Sequence, residues 1–216
     1  LNGRLGLSLE LDSSNAEHQL AGLHQLPPMP VHINVYRHHN SAELKFKLSL
    51  IEKISRRQQV VVTLVQDRRG VNKPRRWEAF CQKTLPRLTP LVEGIQIGRA
   101  VNRGHWGVWS AEEYHRLLIS AVKSVDNPHK LPLMGPGIEN GRWSDLVSSL
   151  AGLPEAVVFS ALTLNVVASD GNAPWGRGAL SHLLSRMTLL RAFAGAVQPF
   201  AARTKLTHFG VKAPWT

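Results

Sequence analysis

The sequence predicts an α/β chain wound as a TIM (β/α)8-type barrel that lacks its last βα unit, folded as one domain over residues 1–216. Three observations carry that expectation. Short apolar or β-branched runs alternate with helical patterns, the signature of parallel strands joined by crossover helices. Seven such runs can be counted, one fewer than a closed barrel needs. The competing architecture is an open doubly wound sheet, but no glycine-rich phosphate loop follows the first strand and nothing matches a P-loop.

Leu5 to Leu11 reads as the first strand and Asn15 to Leu23 as a short helix. Val31 to Tyr36 is the second strand, preceded by Pro27, Pro28 and Pro30. Ser41 stands where it can cap the next helix, in which Leu44, Leu48 and Ile51 recur at helical spacing. Gln59 to Val65 is β-branched enough to suit a strand covered on both faces. Pro74 opens a helix with Trp77, Phe80, Thr84 and Leu88 on one side, because a first-turn proline gives up only an N–H that would go unpaired. The fourth strand ends at Gly98. Ser110-Ala-Glu-Glu113 then reads as a capping box opening a helix striped by Tyr114, Leu117, Leu118, Ala121 and Val122. Leu131 to Gly137 is a fifth strand and turn, followed by a helix near Trp143 to Leu150. Val157 to Val167 is the sixth strand, Leu180 to Leu190 the helix after it, and Lys205 to Gly210 the seventh strand.

With 43% hydrophobic residues and no break in composition, the chain has material for one sizeable core. The lone cysteine, Cys81, excludes an intrachain disulfide, and its place on a helical apolar face marks it as a packed thiol rather than a nucleophile. No apolar run approaches the roughly 20 residues of a membrane span. Leu1 leads into Asn2-Gly3-Arg4 without a signal-peptide pattern, and a first residue other than Met suggests trimming, so the compartment, cytoplasmic or periplasmic, stays open. Charge is uneven: 26 Lys and Arg stand against 15 Asp and Glu, and residues 51–100 alone carry eleven bases to four acids. Such a surface attracts polyanions, whether nucleic acid, anionic headgroups or acidic polysaccharide, unless it is simply a solvated face.

Ile97-Gly98-Arg99-Ala100-Val101-Asn102-Arg103 resembles the Ile-Gly-Asn-Glu-Pro-Asn signature closing the fourth strand in retaining glycoside hydrolases of the large (β/α)8 clan, here called clan A-like. Ser110 to Leu118 and Leu131 to Ile138 are similar to that family's next helix and fifth strand, and Leu206 to Gly210 resembles its Ile-Thr-Glu-Phe-Gly segment. The resemblance implies an acid/base where Ala100 stands and a nucleophile where His208 stands, so both expected carboxylates are replaced. Leu64 to Arg69, Asn102 to Trp109 and Pro174-Trp175-Gly176 look like a bacterial glycosidase-like group associated with lipopolysaccharide genes.

Retaining hydrolysis requires two carboxyl groups about 5–5.5 Å apart. A barrel builds its site at the C-terminal ends of its strands, where Glu10, Asp12, Asp67, Glu139 and Asp170 fall. Asp67 and Glu139, with His208 as base or donor, are the candidates for displaced catalysis, although Asp67 beside Arg68 and Arg69 also fits a plain ion pair. For substrate binding the candidates are Gln66, Arg68, Asn102, Arg103, Trp106, Trp109, Asn165 and Trp175, since indole faces stack on sugar rings and the polar groups can address hydroxyls. Ten histidines include no metal-binding spacing, and neither a metal nor a cofactor is expected.

The leading expectation is a glycosidase-like barrel that binds a bacterial saccharide with weak or no hydrolysis. The ligand class is an anionic polysaccharide or a lipopolysaccharide oligosaccharide. An active glycosidase with displaced carboxylates is the alternative, and a nucleic-acid-binding protein using the basic segment 53–87 is a third reading. An open barrel edge would call for cover by another element or by a second subunit.

Overall fold

The computed structural model describes residues 7–12, 14–139, 143–154 and 156–165. In chain order the strands are β1 (Leu7–Leu9), β2 (Pro30–Tyr36), β3 (Gln59–Val65), β4 (Gly94–Ile97), β5 (Leu133–Met134), β6 (Ile138–Glu139) and β7 (Leu164–Asn165). The helices are α1 (Ala16–His24), α2 (Ser41–Ser55), α3 (Arg68–Asn72), α4 (Pro74–Leu88), α5 (Ala111–Lys123) and α6 (Trp143–Leu150). The first five strands form one parallel sheet in the order β1-β2-β3-β4-β5, and β6 pairs β7, also parallel. Strand order follows chain order without reversal. A doubly wound sheet needs a switch point where the order turns back, so the winding is that of a barrel.

The anticipated fifth strand is divided. The Gly135–Pro136–Gly137 turn separates β5 from β6, with a cis bond at Gly135–Pro136. Backbone bonds from Ser160 N to Leu133 O (2.8 Å) and from Gly135 N to Ala161 O (3.1 Å) carry the edge of β5 over to the segment leading into β7. The sixth strand expected at Val157 is regular only at β7, with one isolated bridge, Met134 to Ala161, before it. The expected helix at Leu180–Leu190, the strand at Lys205–Gly210, and Trp175 and His208 lie outside the described residues.

Alternation along the strands separates two interiors. Val31, Ile33 and Val35 of β2, Val60, Val62 and Leu64 of β3, and Ile95 and Ile97 of β4 join the main core under the helices. The opposite face contributes a small separate cluster of Val61, Met134 and Ala161, and above it a polar layer. There His32 is 2.8 Å from Thr63 Oγ1, and the Thr163 hydroxyl donates to Gln96 Oε1 at 2.7 Å. Gly94 leaves room for Met134, whose side chain occupies the space a Cβ there would need.

The helices dock as their periodicity predicts. In α4, Trp77, Cys81, Leu85 and Leu88 are fully buried, and the Trp77 indole donates to Leu117 O of α5 at 2.9 Å. Burial pushes the Cys81 thiol far above its ordinary range, as a structural thiol requires. The α5 stripe is buried at each of its five anticipated positions. The cap of α2 is Asn40, not Ser41: the Ala42 and Glu43 N–H groups donate to the Asn40 side chain, and Asn40 N–H donates back to Glu43. Asn40 wins because its side chain reaches two N–H groups from an extended backbone, leaving Ser41 as the first helical residue. At α5 the Glu113 N–H donates to Ser110 Oγ at 3.3 Å, but the Glu113 carboxylate passes over Ser110 to accept from Trp109 N–H (2.8 Å) and from Arg68.

Candidate functional site at the barrel mouth

The C-terminal strand ends gather Glu10, Asn34, Tyr36, Gln66, Asp67, Arg99 and Glu139 at one end of the barrel. β4 reaches this end through two left-handed residues, Gly98 at φ 83° and Ala100 at φ 44°. Glycine takes the first without cost, whereas a residue with a Cβ holds such a φ only against local strain of about 1 kcal/mol or more. Ala100, where the resemblance implies the acid/base, is fully buried.

Arg99 holds the place of interest. Its guanidinium reaches Glu10 at the end of β1 (3.6 Å), donates to Tyr36 Oη at the end of β2 (3.4 Å), and lies 4.5 Å from the centroid of Trp106. Glu10 in turn accepts from Asn34 Nδ2 at 2.6 Å. Burial, and then the charge of Glu10, raise the Tyr36 phenol above its ordinary range, so it stays a neutral donor at physiological pH. The rings of Tyr36, His38 and His39 cluster at centroid distances of 5.2 to 5.5 Å. His38 and His39 therefore follow β2 in a turn and pack together; they do not splay to opposite faces of a strand.

Several anticipated ligand residues hold the loops instead. Gln66 is almost wholly buried; its amide donates to Arg99 O (2.9 Å) and Trp106 O (3.0 Å) and accepts from Arg99 N–H (2.9 Å). Asn102 accepts from Glu139 N–H (2.9 Å) and donates to Glu139 O and Asp145 Oδ2, both at 3.0 Å. Arg68 donates to Gly107 O (3.0 Å) and Glu113 (2.7 Å), while its guanidinium sits 3.6 Å from the centroid of Trp109. These side chains satisfy loop groups that would otherwise go unpaired on leaving water.

The two candidate acids differ sharply. Asp67 is clasped by both Nε and Nη2 of Arg37 and accepts from Gly70 N–H at 2.8 Å, which caps α3. Burial tends to raise its pKa, but the Arg37 and Gly70 hydrogen bonds prevail and leave it below the usual value. Glu139 is half-buried, and its carboxylate has no hydrogen bond or ion pair among the described residues. The backbone of Glu139 is in register with Asn165 on β7. Asp67 is thus brought to Arg37 and not to Glu139.

Two recesses open beside the mouth. One, of about 310 Å3, is lined by Asn102, Trp109, Asp145, Ser148 and Ser149 among others, with Trp109 69% exposed at its edge. The other, about 450 Å3, lies between the ends of β1 and α2, where Lys47 is buried beside Phe46, His39 and Tyr36. Burial lowers the Lys47 pKa against the pull of Glu10 and Asp12. Lys47, Arg99 and Tyr36 were missed as site residues. The clue available in sequence was the polar inward register His32-Asn34-Tyr36 on a strand otherwise built of Val and Ile. No group of three or more potential metal ligands occurs among the described residues, and none of their helices is long and apolar enough to cross a membrane.

The architecture matches solved glycosidases. A GH26 β-mannanase from Bacteroides ovatus aligns with a TM-score of 0.63 over 96% of this chain and 72% of that one, at 10% identity. The bacterial orthologue of human α-L-iduronidase aligns with a TM-score of 0.59 at 14% identity, over 90% of this chain but 38% of its own length. No protein-family model and no curated protein matches the sequence. At these identities the likeness concerns the fold. The chain has a TIM-barrel-type α/β fold like that of these two structures.

Proposed function

We propose that this barrel binds a bacterial saccharide at its mouth with weak or no hydrolysis. The observation supporting this most directly is Arg99: beside the position where a retaining enzyme of this fold would carry its acid/base, the chain presents a guanidinium packed on Trp106 and tied to Tyr36 and Glu10. That group can hold a hydroxyl or an anionic substituent but cannot protonate a leaving oxygen, because arginine does not give up its proton at accessible pH. Trp106 and Trp109 supply aromatic surface for a sugar ring. Trp175, Asn165 and Arg103 belong to the same proposal as further contacts, with Gln66, Arg68 and Asn102 acting by positioning the loop that bears the tryptophans.

A second reading, hydrolysis by displaced carboxylates, is favoured by one observation, a Glu139 carboxylate with no partner among the described residues. Asp67, its anticipated partner, is engaged by Arg37 and by α3. Calorimetric binding and mass-spectrometric product analysis on acidic bacterial polysaccharides and lipopolysaccharide core oligosaccharides separate the two. Binding without products, weakened at least ~10-fold in Arg99→Ala, equivalent to about 1.4 kcal/mol, is the expected result. A defined cleavage product that disappears in Glu139→Gln would overturn it.

A further inference from the structure

Arg69, Lys73, Arg75 and Arg76 are all exposed, and none has a carboxylate within ion-pair distance among the described residues. Among the nearby acids, Asp67 pairs with Arg37 and Glu113 with Arg68, while Glu78, one turn on from Arg75, accepts from Gln82 and leaves the stretch a net positive charge. Four like charges within eight residues repel one another, a cost that a polyanion would relieve. Their position is the second point. α3 leaves the C-terminal end of β3, so these cations stand on the same end of the barrel as Arg99. The chain links them to the tryptophan loop through the adjacent Arg68: a Cβ on Gly107 would lie 2.7 Å from Arg68 N, and the Arg68 guanidinium bridges Gly107 O and the Trp109 ring.

We infer that the exposed segment Arg69–Arg76 and the Trp109 recess form one docking surface for an acidic polysaccharide, a chain bearing several carboxylate, sulfate or phosphate groups. This inference rests on the saccharide-binding reading and names its ligand class. The recess favours a sugar chain over a nucleic acid. Its Asp145 carboxylate and Ser148 hydroxyl suit the hydroxyls of a sugar ring, whereas serial base stacking needs several open aromatic faces, and Trp109 is the one exposed indole among the described residues. The cations hold the charged substituents, and Trp109 with the recess holds a ring between them.

The test uses the full chain with polygalacturonate as the acidic probe, a neutral dextran as control and single-stranded DNA as competitor, at 50 to 300 mM NaCl. A variant carrying Arg69→Gln, Lys73→Gln, Arg75→Gln and Arg76→Gln changes exposed side chains only, and circular dichroism verifies its fold. Polygalacturonate affinity is expected to fall at least ~10-fold at 150 mM salt, with a clearly shallower salt dependence, since each lost contact releases fewer counterions. Parental affinity in the variant would overturn the docking surface. So would DNA displacing polygalacturonate at a tenfold lower concentration, which would make nucleic acid the partner. Arg99→Ala separates the two proposals: if it binds polygalacturonate like the parent while the four-site variant does not, the mouth reading fails and the docking surface stands.

Discussion

The two faces of the same strands have been put to opposite uses. Outward residues such as Ile33, Val62, Leu64 and Ile97 are wholly buried under the helices, while the inward face of β2, β3 and β4 carries His32, Asn34, Thr63 and Gln96 in hydrogen-bonded contact with their neighbours. Apolar burial stabilises without fixing direction, whereas buried polar groups contribute little net energy but demand partners in defined places. The outer face therefore secures the barrel, and the inner face orients what stands at its mouth.

Substitutions that enlarge this contrast can be ranked. Leu64→Ala on the outer face empties a packed position and should reduce unfolding free energy by about 2–5 kcal/mol, read from the midpoint of a urea transition. On the inner face, Thr163→Val deletes donations to Gln96 Oε1 and Pro136 O while keeping shape; a loss of about 1–3 kcal/mol is expected, mainly from stranding the Gln96 oxygen. If the inner change costs more than the outer, the division of labour is wrong. Smallest is Asp67→Asn, about 1 kcal/mol at pH 7, because the pair with Arg37 is partly exposed. Asp67 has a folded pKa below the ordinary aspartate value of 3.8, so its contribution is complete above that value and is lost as pH falls through the folded pKa. Acid titration of stability should accordingly be shallower in Asp67→Asn than in the parent over the range below about pH 4.

The sequence made the outer face legible and the inner one obscure. Periodicity in β2, β3, α4 and α5 is a direct imprint of burial, so those elements and their buried stripes could be read with little error. α3 is hard to read because its five residues hold a single large apolar side chain, Val71, too few to show a period, and its cap, Asp67, reads equally well as a catalytic acid. Gln66 and Asn102 looked like ligand groups because they follow strands; their real partners are backbone atoms 33 to 40 residues away, which no local pattern reveals. Arg99 stands in plain view inside the motif, but its reach across to β1 and β2 depends on the curvature of the five-stranded sheet. The fifth strand is visible in its apolar run, but Gly135–Pro136–Gly137 reads in sequence as a terminating turn and not as the break between β5 and β6.

Gln66 gives the loop after β4 an anchor that belongs to a different strand, and Gly107 presses that loop onto the backbone of α3. Between those two points Val101 and Asn102 bond to Gly137, Glu139 and Asp145, whereas the backbone bonds of Arg103 and Gly104 stay within the loop. Lineages can lengthen or rewrite that interval, or engineers transplant it, with β3, α3 and the loop inherited as one cassette while the barrel beneath stays unchanged.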